Sequence, residues 1–254
     1  AAVAHIAWIK SCMLSAANRD WKAIFHVELV EDPTRIDSVL NDLSLAWLLG
    51  LKVVVVLGGK GDDAPLQMGY WRTEMERKLQ KSLHHHHHHR PDDIDEGYVL
   101  SSSNYYAIQS NGDVKINQEA LRNALKNNDV VLLSSLGYKS GELAHIEGPH
   151  LAARIAASLE AHKLIFLSKE GSILVEEGPT PTRIQEVSLS ACYTLLDHHH
   201  IKIYSAGWTS FSDETHPNEL LWHLAWSAWA LENGVRRAHV INPGDGAILE
   251  ELFT

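Results

Sequence analysis

Residues 51–63, LKVVVVLGGKGDD, constrain the fold more than any other stretch of this chain. Residues 53–57 are all apolar, four of them valines, and they run straight into Gly58, Gly59 and Gly61. A short, uninterrupted β-branched run is what a strand covered on both faces requires. Glycines after its last residue let the backbone turn tightly and approach a ligand. In open α/β sheets, ligands sit at that end of the strands. Glycines also simply terminate strands, so the site reading stands beside a plain turn.

Alternating helical and strand patterns continue along the whole chain. Apolar spacing predicts helices over 1–17, 34–49, 74–83, 117–126, 149–161, 182–198, 217–232 and 246–253. Short apolar runs predict strands over 21–30, 52–57, 129–133, 163–167, 201–204 and 237–241, with a strand or hairpin inside 97–110. Residues 136–142 read as a glycine-containing loop, and Gly50 as a helix stop. Strands alternating with helices through short connections predict an α/β protein, a three-layer sandwich with a mainly parallel sheet. No Pro/Gly/Ser-rich linker divides the chain. Residues 1–20 read as an N-terminal helical arm and residues 21–254 as one domain.

Composition narrows the partners. The 254 residues carry a net charge of -10 and are 45% hydrophobic, enough for a substantial core. The acidic balance argues against nucleic acid and anionic membranes as partners. No apolar run approaches the ~20 residues of a membrane span. Cys12 and Cys192 lack metal or redox spacing and read as thiols of a reducing compartment. The chain begins with Ala1, as a processed product or part of a longer chain would. His84 to His89 form an unbroken run of histidines, read as a solvated loop of biased composition, with metal chelation the alternative. No nucleophile, metal or dinucleotide motif stands out, and no cofactor is expected.

Four stretches resemble the amino-acid kinase fold, and within it the N-acetylglutamate synthase and kinase branch. They are NDLSLAWLLGLKVVVVLGG over 41–59, NNDVVLLSSLGYKSGE over 127–142, HKLIFL over 162–167, and GVRRAHVINPGDGAILEELFT over 234–254. The second is similar to plant-type synthases; with the absent initiator methionine it points to an organelle, chloroplast or mitochondrion. The resemblance implies that Gly58, Gly59, Gly61, Asn104 (after Ser103), Gly137 and Gly141 bind an acylamino-acid acceptor. It implies that His239 and Glu251 hold feedback arginine. A carboxylate is chemically suited to arginine's guanidinium, while His239 on an apolar strand also fits a core histidine. Arms like residues 1–17 interlace dimers in the arginine-sensitive members, so homo-oligomers or other protein subunits are the expected macromolecular partners. Arginine and N-acetylglutamate are the expected small ones.

The departures concern phosphate. The family's first strand carries a lysine and then paired glycines; here Glu28, Leu29 and Val30 stand in that place. A second lysine aligns with His223, and the expected glycines with Asn218 and Glu219. The usual Thr-Asp pair of the nucleotide loop is replaced by Ser168 and Lys169. A carboxylate repels phosphates, and a neutral histidine supplies no fixed charge to a transferring phosphoryl group. The expectation is therefore a regulatory, oligomerising or structural domain without phosphoryl transfer, with no residue assigned a catalytic role. The alternatives are an active acetylglutamate kinase drawing charge from Lys22, Lys60 or Lys163, or the kinase-like part of a synthase without its acetyltransferase domain.

Overall fold

The computed structural model describes residues 21–28, 33–58, 64–87, 98–101, 103–127, 129–168, 173–175, 182–184, 186–203, 209–210, 219–242 and 247–252. The expected arm over 1–17, Gly59, Lys60, Gly61, Leu29, Val30 and Cys12 lie outside them.

The centre is a six-stranded parallel sheet. In chain order the first strands are β1 (Lys22–Glu28), β2 (Lys52–Gly58), β3 (Val99–Leu100), β4 (Tyr106–Ile108), β5 (Val114–Ile116) and β6 (Val130–Ser134). Next come β7 (Leu136–Lys139), β8 (Glu142–His145), β9 (Lys163–Leu167), β10 (Ile173–Val175) and β11 (Thr182–Ile184). The last are β12 (Lys202–Ile203), β13 (Thr209–Ser210) and β14 (Arg237–Ile241). The sheet order is β14-β9-β1-β2-β6-β3. The helices are α1 (Pro33–Leu48), α2 (Ala64–His87), α3 (Gln118–Lys126), α4 (Gly148–Ser158), α5 (Leu189–His198), α6 (Glu219–Glu232) and α7 (Ala247–Leu252).

Side chains alternate across a strand, and both faces of this sheet are buried. Ile24, Val54, Val56, Val131, Leu133, Leu164 and Phe166 belong to one core, with Leu121 of α3, Leu151 and Ile155 of α4, and Trp226 and Trp229 of α6. Phe25, Val53, Val55, Leu57, Leu132 and Ile165 belong to the other, with Leu43 and Trp47 of α1, Met75 and Leu79 of α2, and Ile248 of α7. The valine run is therefore apolar without alternation because it faces two cores, each buried side chain stabilising by roughly 1.5–3 kcal/mol. The three-layer reading holds.

Local signals explain several boundaries. α1 ends where Gly50 takes φ 88; its N–H donates to Trp47 C=O and that of Leu51 to Ala46 C=O, closing the turn. Asn117 caps α3, its side chain accepting from Ala120 N–H. Ser188 caps α5 in the same way, accepting from Ala191 N–H.

Three expectations are corrected. Residues 182–184 are a strand paired with β10, and the helix begins only after the Ser188 cap; the β-branched Thr182 and Ile184 suit a strand. Residues 136–145 are an antiparallel hairpin rather than an open loop. Ser140 (φ 52) and Gly141 (φ 90) form its two-residue turn, which needs two left-handed residues. α2 runs through His87, so the first four histidines of the run are helix and not loop. No glycine or proline intervenes before Pro91, and His84 meets Gln80 one turn back at 3.1 Å.

Candidate functional site

The parallel strands end together where Glu28, Gly58, Ser134 and Leu167 lie. Gly58 closes β2, its Cα opposite Glu28. The first residue of α4, Gly148, packs directly on this end: a Cβ there would collide with His26 Nε2 and lie 2.8 Å from Gly58 Cα. His26 is fully buried. Its ring meets that of His223 at 5.5 Å, and His223 stacks on Phe166 at 4.8 Å and 18°. The position aligned with a kinase lysine is thus a wholly buried histidine packed as an aromatic in the core.

Asn104 and Gly137 have different neighbours. Asn104 is exposed, in the helical turn Ser103–Tyr105, and its C=O accepts from Asn117 Nδ2 at 3.1 Å. Two residues on, Tyr106 donates its hydroxyl to Ser134 C=O at 2.7 Å, at the end of β6. A Cβ on Gly137 would meet Tyr106 Cε2 at 2.8 Å. Gly137 is therefore small because the phenol ring lies against the hairpin backbone. Gly141 is exposed at the hairpin tip, three residues beyond Tyr138, with nothing near its missing side chain. The structure thus sets Gly58 beside Gly148, Gly137 beside Tyr106, Asn104 beside Asn117, and Gly141 at the hairpin tip.

A carboxylate stands at the N-terminus of α6. Ser168 directly follows β9 and donates Oγ–H to Glu219 Oε1 at 3.1 Å. Glu219 opens α6, so its negative charge sits at the positive end of a long helix. That position is where helices receive phosphates.

At the opposite end of β9, three polar groups form a chain. Lys163, its first residue, is only 5% exposed. Its ammonium contacts His239 Nε2 at 3.2 Å and Glu251 C=O at 3.0 Å. His239 Nδ1 contacts the Glu251 carboxylate. One protonation pattern satisfies every contact: Lys163 donates to Nε2, and a neutral His239 donates Nδ1–H to Glu251. Burial first, then the positive charge of Lys163, pushes the His239 imidazole well below its ordinary value. Burial, with Arg237 nearby, pushes Lys163 down to about 8, against the opposing pull of Glu251. His239 and Glu251 are thus brought together, and Lys163 is a member that sequence reasoning missed. A lysine heading a buried apolar strand was the available signal.

Lys22 and Lys163 are the first residues of β1 and β9. They lie about 13–20 Å, the length of a strand, from the end that Gly58 marks. Neither can supply charge there, which corrects that expectation.

A further cluster was not anticipated. His150 lies 4.0 Å from Asp113 Oδ1, and Arg154 binds Asp113 Oδ2 at 2.9 Å. Asp113 thereby ties the β4–β5 hairpin to α4. Cys192 is buried and its thiol is pushed up to about 11 by that burial, which leaves it unreactive. Among the described residues, no group of three or more His, Cys, Asp or Glu could hold a metal ion. None of their helices is long and apolar enough to cross a membrane.

A parallel sheet between two helical layers, with the N-termini of α4 and α6 at its strand ends, defines a three-layer α/β protein. A family model described as the amino acid kinase family matches residues 98–242, over half of the chain, and the chain belongs to that family. The amino-acid acetyltransferase of Ralstonia nicotianae is 30% identical over 141 residues, covering 55% of this chain and 27% of that protein. That of Neisseria meningitidis is 31% identical over 142 residues, covering 55% and 28%. The aligned segment thus spans little more than a quarter of these relatives. N-acetylglutamate synthase from Neisseria gonorrhoeae, complexed with coenzyme A and L-arginine, has the same fold with TM-score 0.73 at 18% identity, covering 99% of this chain and 63% of that one. Carbamate kinase from Giardia lamblia bound to AMP-PNP follows with TM-score 0.64 at 9% identity, covering 92% and 95%.

Proposed function

We propose that this amino-acid-kinase-fold domain, related to N-acetylglutamate synthase, performs no phosphoryl transfer and serves as a regulatory and oligomerising or structural subunit. The observation that carries the reading is the Ser168–Glu219 pair: the N-terminus of α6 holds the protein's own carboxylate. An approaching triphosphate meets that charge and finds no lysine at position 223, where His223 is buried against Phe166. The ligand retained is arginine, with its guanidinium on Glu251 and its carboxylate on Lys163, or an acylated glutamate at Gly58, Asn104, Gly137 and Gly141. The arm over 1–17 makes the intermolecular contacts, and an organelle is the proposed compartment.

Calorimetry with Mg-ATP at millimolar concentration tests the first part. No saturable heat is expected; saturable binding with turnover of N-acetylglutamate would establish the kinase alternative. Melting with arginine, N-acetylglutamate and glutamate tests the second. A ligand binding only the folded state at a hundredfold excess over its Kd stabilises by about 2.7 kcal/mol. Arginine is expected to raise the melting temperature in the natural chain and not in Glu251→Ala. If none of the three ligands does so at about 10 mM, which reveals even millimolar binding, the domain is a scaffold only. A second reading, the kinase-like part of an amino-acid acetyltransferase, is favoured by the named relatives; acetyl transfer from acetyl-CoA to glutamate by the full gene product would establish it.

A further inference from the structure

We propose that seating a carboxylate ligand on the Lys163–His239–Glu251 chain is coupled to proton uptake by Lys163, so that effector binding senses alkaline pH. This rests on the arginine reading above and adds its regulation.

The argument begins with what solvates Lys163. Its ammonium touches a neutral ring nitrogen and a neutral backbone carbonyl. The Glu251 carboxylate lies on the far side of the imidazole, bonded to Nδ1 rather than to the ammonium. Lys163 is thus a buried cation satisfied by dipoles and without a contacting anion among the described residues. Desolvation of such a group favours loss of its proton. The other charges on the surrounding elements do not change the sign. Arg237 on β14 repels the ammonium, and Glu251 on α7 attracts it only partly in return. Glu250 on α7 is exposed. On β1, Lys22 heads the neighbouring strand, its backbone N–H donating to His162 Nδ1.

A ligand carboxylate in contact with Nζ supplies the missing anion. It favours the charged lysine, so the free site, half deprotonated near its value of about 8, gains a proton on binding. The sign follows by linkage. Below that pH, Lys163 is charged in both states and affinity does not vary. Above it, the empty site has lost a proton that the occupied site needs, and affinity falls tenfold per pH unit until the occupied site also titrates. The conservative variant separates this effect from other titrations. An arginine side chain stays protonated throughout, so Lys163→Arg keeps the charge and removes the proton exchange. The α-amino group of free arginine titrates identically for both proteins and cancels in the comparison.

The experiment is calorimetric titration of the whole chain with arginine, from about pH 7.5 to about pH 9.5, in buffers of different ionisation enthalpy. The natural chain is expected to take up about half a proton near pH 8 more than Lys163→Arg does, and to lose about twentyfold more affinity across that range. Should Lys163→Arg not fold, the 13Cε shift of Lys163 in the natural chain gives the same answer, its titration moving upward by more than one pH unit when arginine is added. Equal pH profiles and equal proton numbers in the two proteins, or an unmoved Lys163 titration at arginine saturation, overturn the proton coupling alone. Absence of arginine binding at every pH overturns the effector reading and this inference with it.

Discussion

The imidazole of His150 lies flat on the indole of Trp226, with ring centroids 4.2 Å apart and planes at 10°. The stack joins the first turn of α4 to the middle of α6, both on the same face of the sheet. It keeps the histidine 7% exposed, and burial, helped by Arg154 and opposed by Asp113, pushes it down to about 4.

This makes α4 an acid-sensitive joint. Above the ordinary histidine value, His150 is neutral folded or unfolded and contributes no pH dependence. Below it, the unfolded chain binds a proton that the folded chain refuses, and stability falls until about pH 4. The loss attributable to His150 is on the order of 3 kcal/mol. Urea denaturation at about pH 7 and about pH 4.5 should show the natural chain losing about 2–3 kcal/mol more than His150→Phe, which retains the stack. Parallel losses in the two proteins would show that His150 takes up its proton without hindrance.

Three glycines should respond to alanine in three different ways. Gly148→Ala places a Cβ 2.8 Å from the Gly58 backbone, which cannot step aside, and is expected to cost about 1–3 kcal/mol. Gly141→Ala meets no atom but imposes a left-handed φ of +90 on a side chain, at about 1 kcal/mol. Gly69, inside α2 with open space around it, should become more stable by up to about 1 kcal/mol as alanine. Chemical denaturation of the three variants checks the order; a stable Gly148→Ala would disprove the close approach of α4 to β2.

Tyr106 and Gly137 should be energetically coupled. Tyr106→Phe leaves the Ser134 carbonyl without its buried donor and is expected to cost about 1–2 kcal/mol. Gly137→Ala should be strongly destabilising with the ring in place and much less so in a Tyr106→Ala background, because its tightest clash is with the ring edge and only Ile108 Cδ1, at 3.2 Å, remains. A double-mutant cycle measures this, and additive losses would contradict the packing described.

Much of the architecture was legible because burial on two faces leaves a plain signature. The runs at 53–57, 130–133 and 164–167 are apolar without alternation, as a short strand covered on both faces requires. Gly50 and Asn117 marked helix ends because their roles depend on local backbone chemistry alone. The strand at 182–184 was not legible. Its partner lies nine residues upstream, and pairing over that separation leaves no helix-like or turn-like period. The end of α2 was misread for a related reason: histidines carry no strong preference, and what continues the helix is the absence of a stop.

For the site, sequence determined the residue types: glycines after β2, no lysine at 223, a carboxylate at 219 and another at 251. Only the tertiary structure decided which of them meet. Lys163 and His239 are 76 residues apart, and they face each other because β14 pairs in parallel with β9 in a register that sets His239 opposite Ile165. Ser168 reaches Glu219 across 51 residues because β9 ends where α6 begins. Local propensity acts over a few residues, whereas these contacts follow from strand order and register. Those are set by burying two apolar faces at once, a condition on the whole chain that no single segment states.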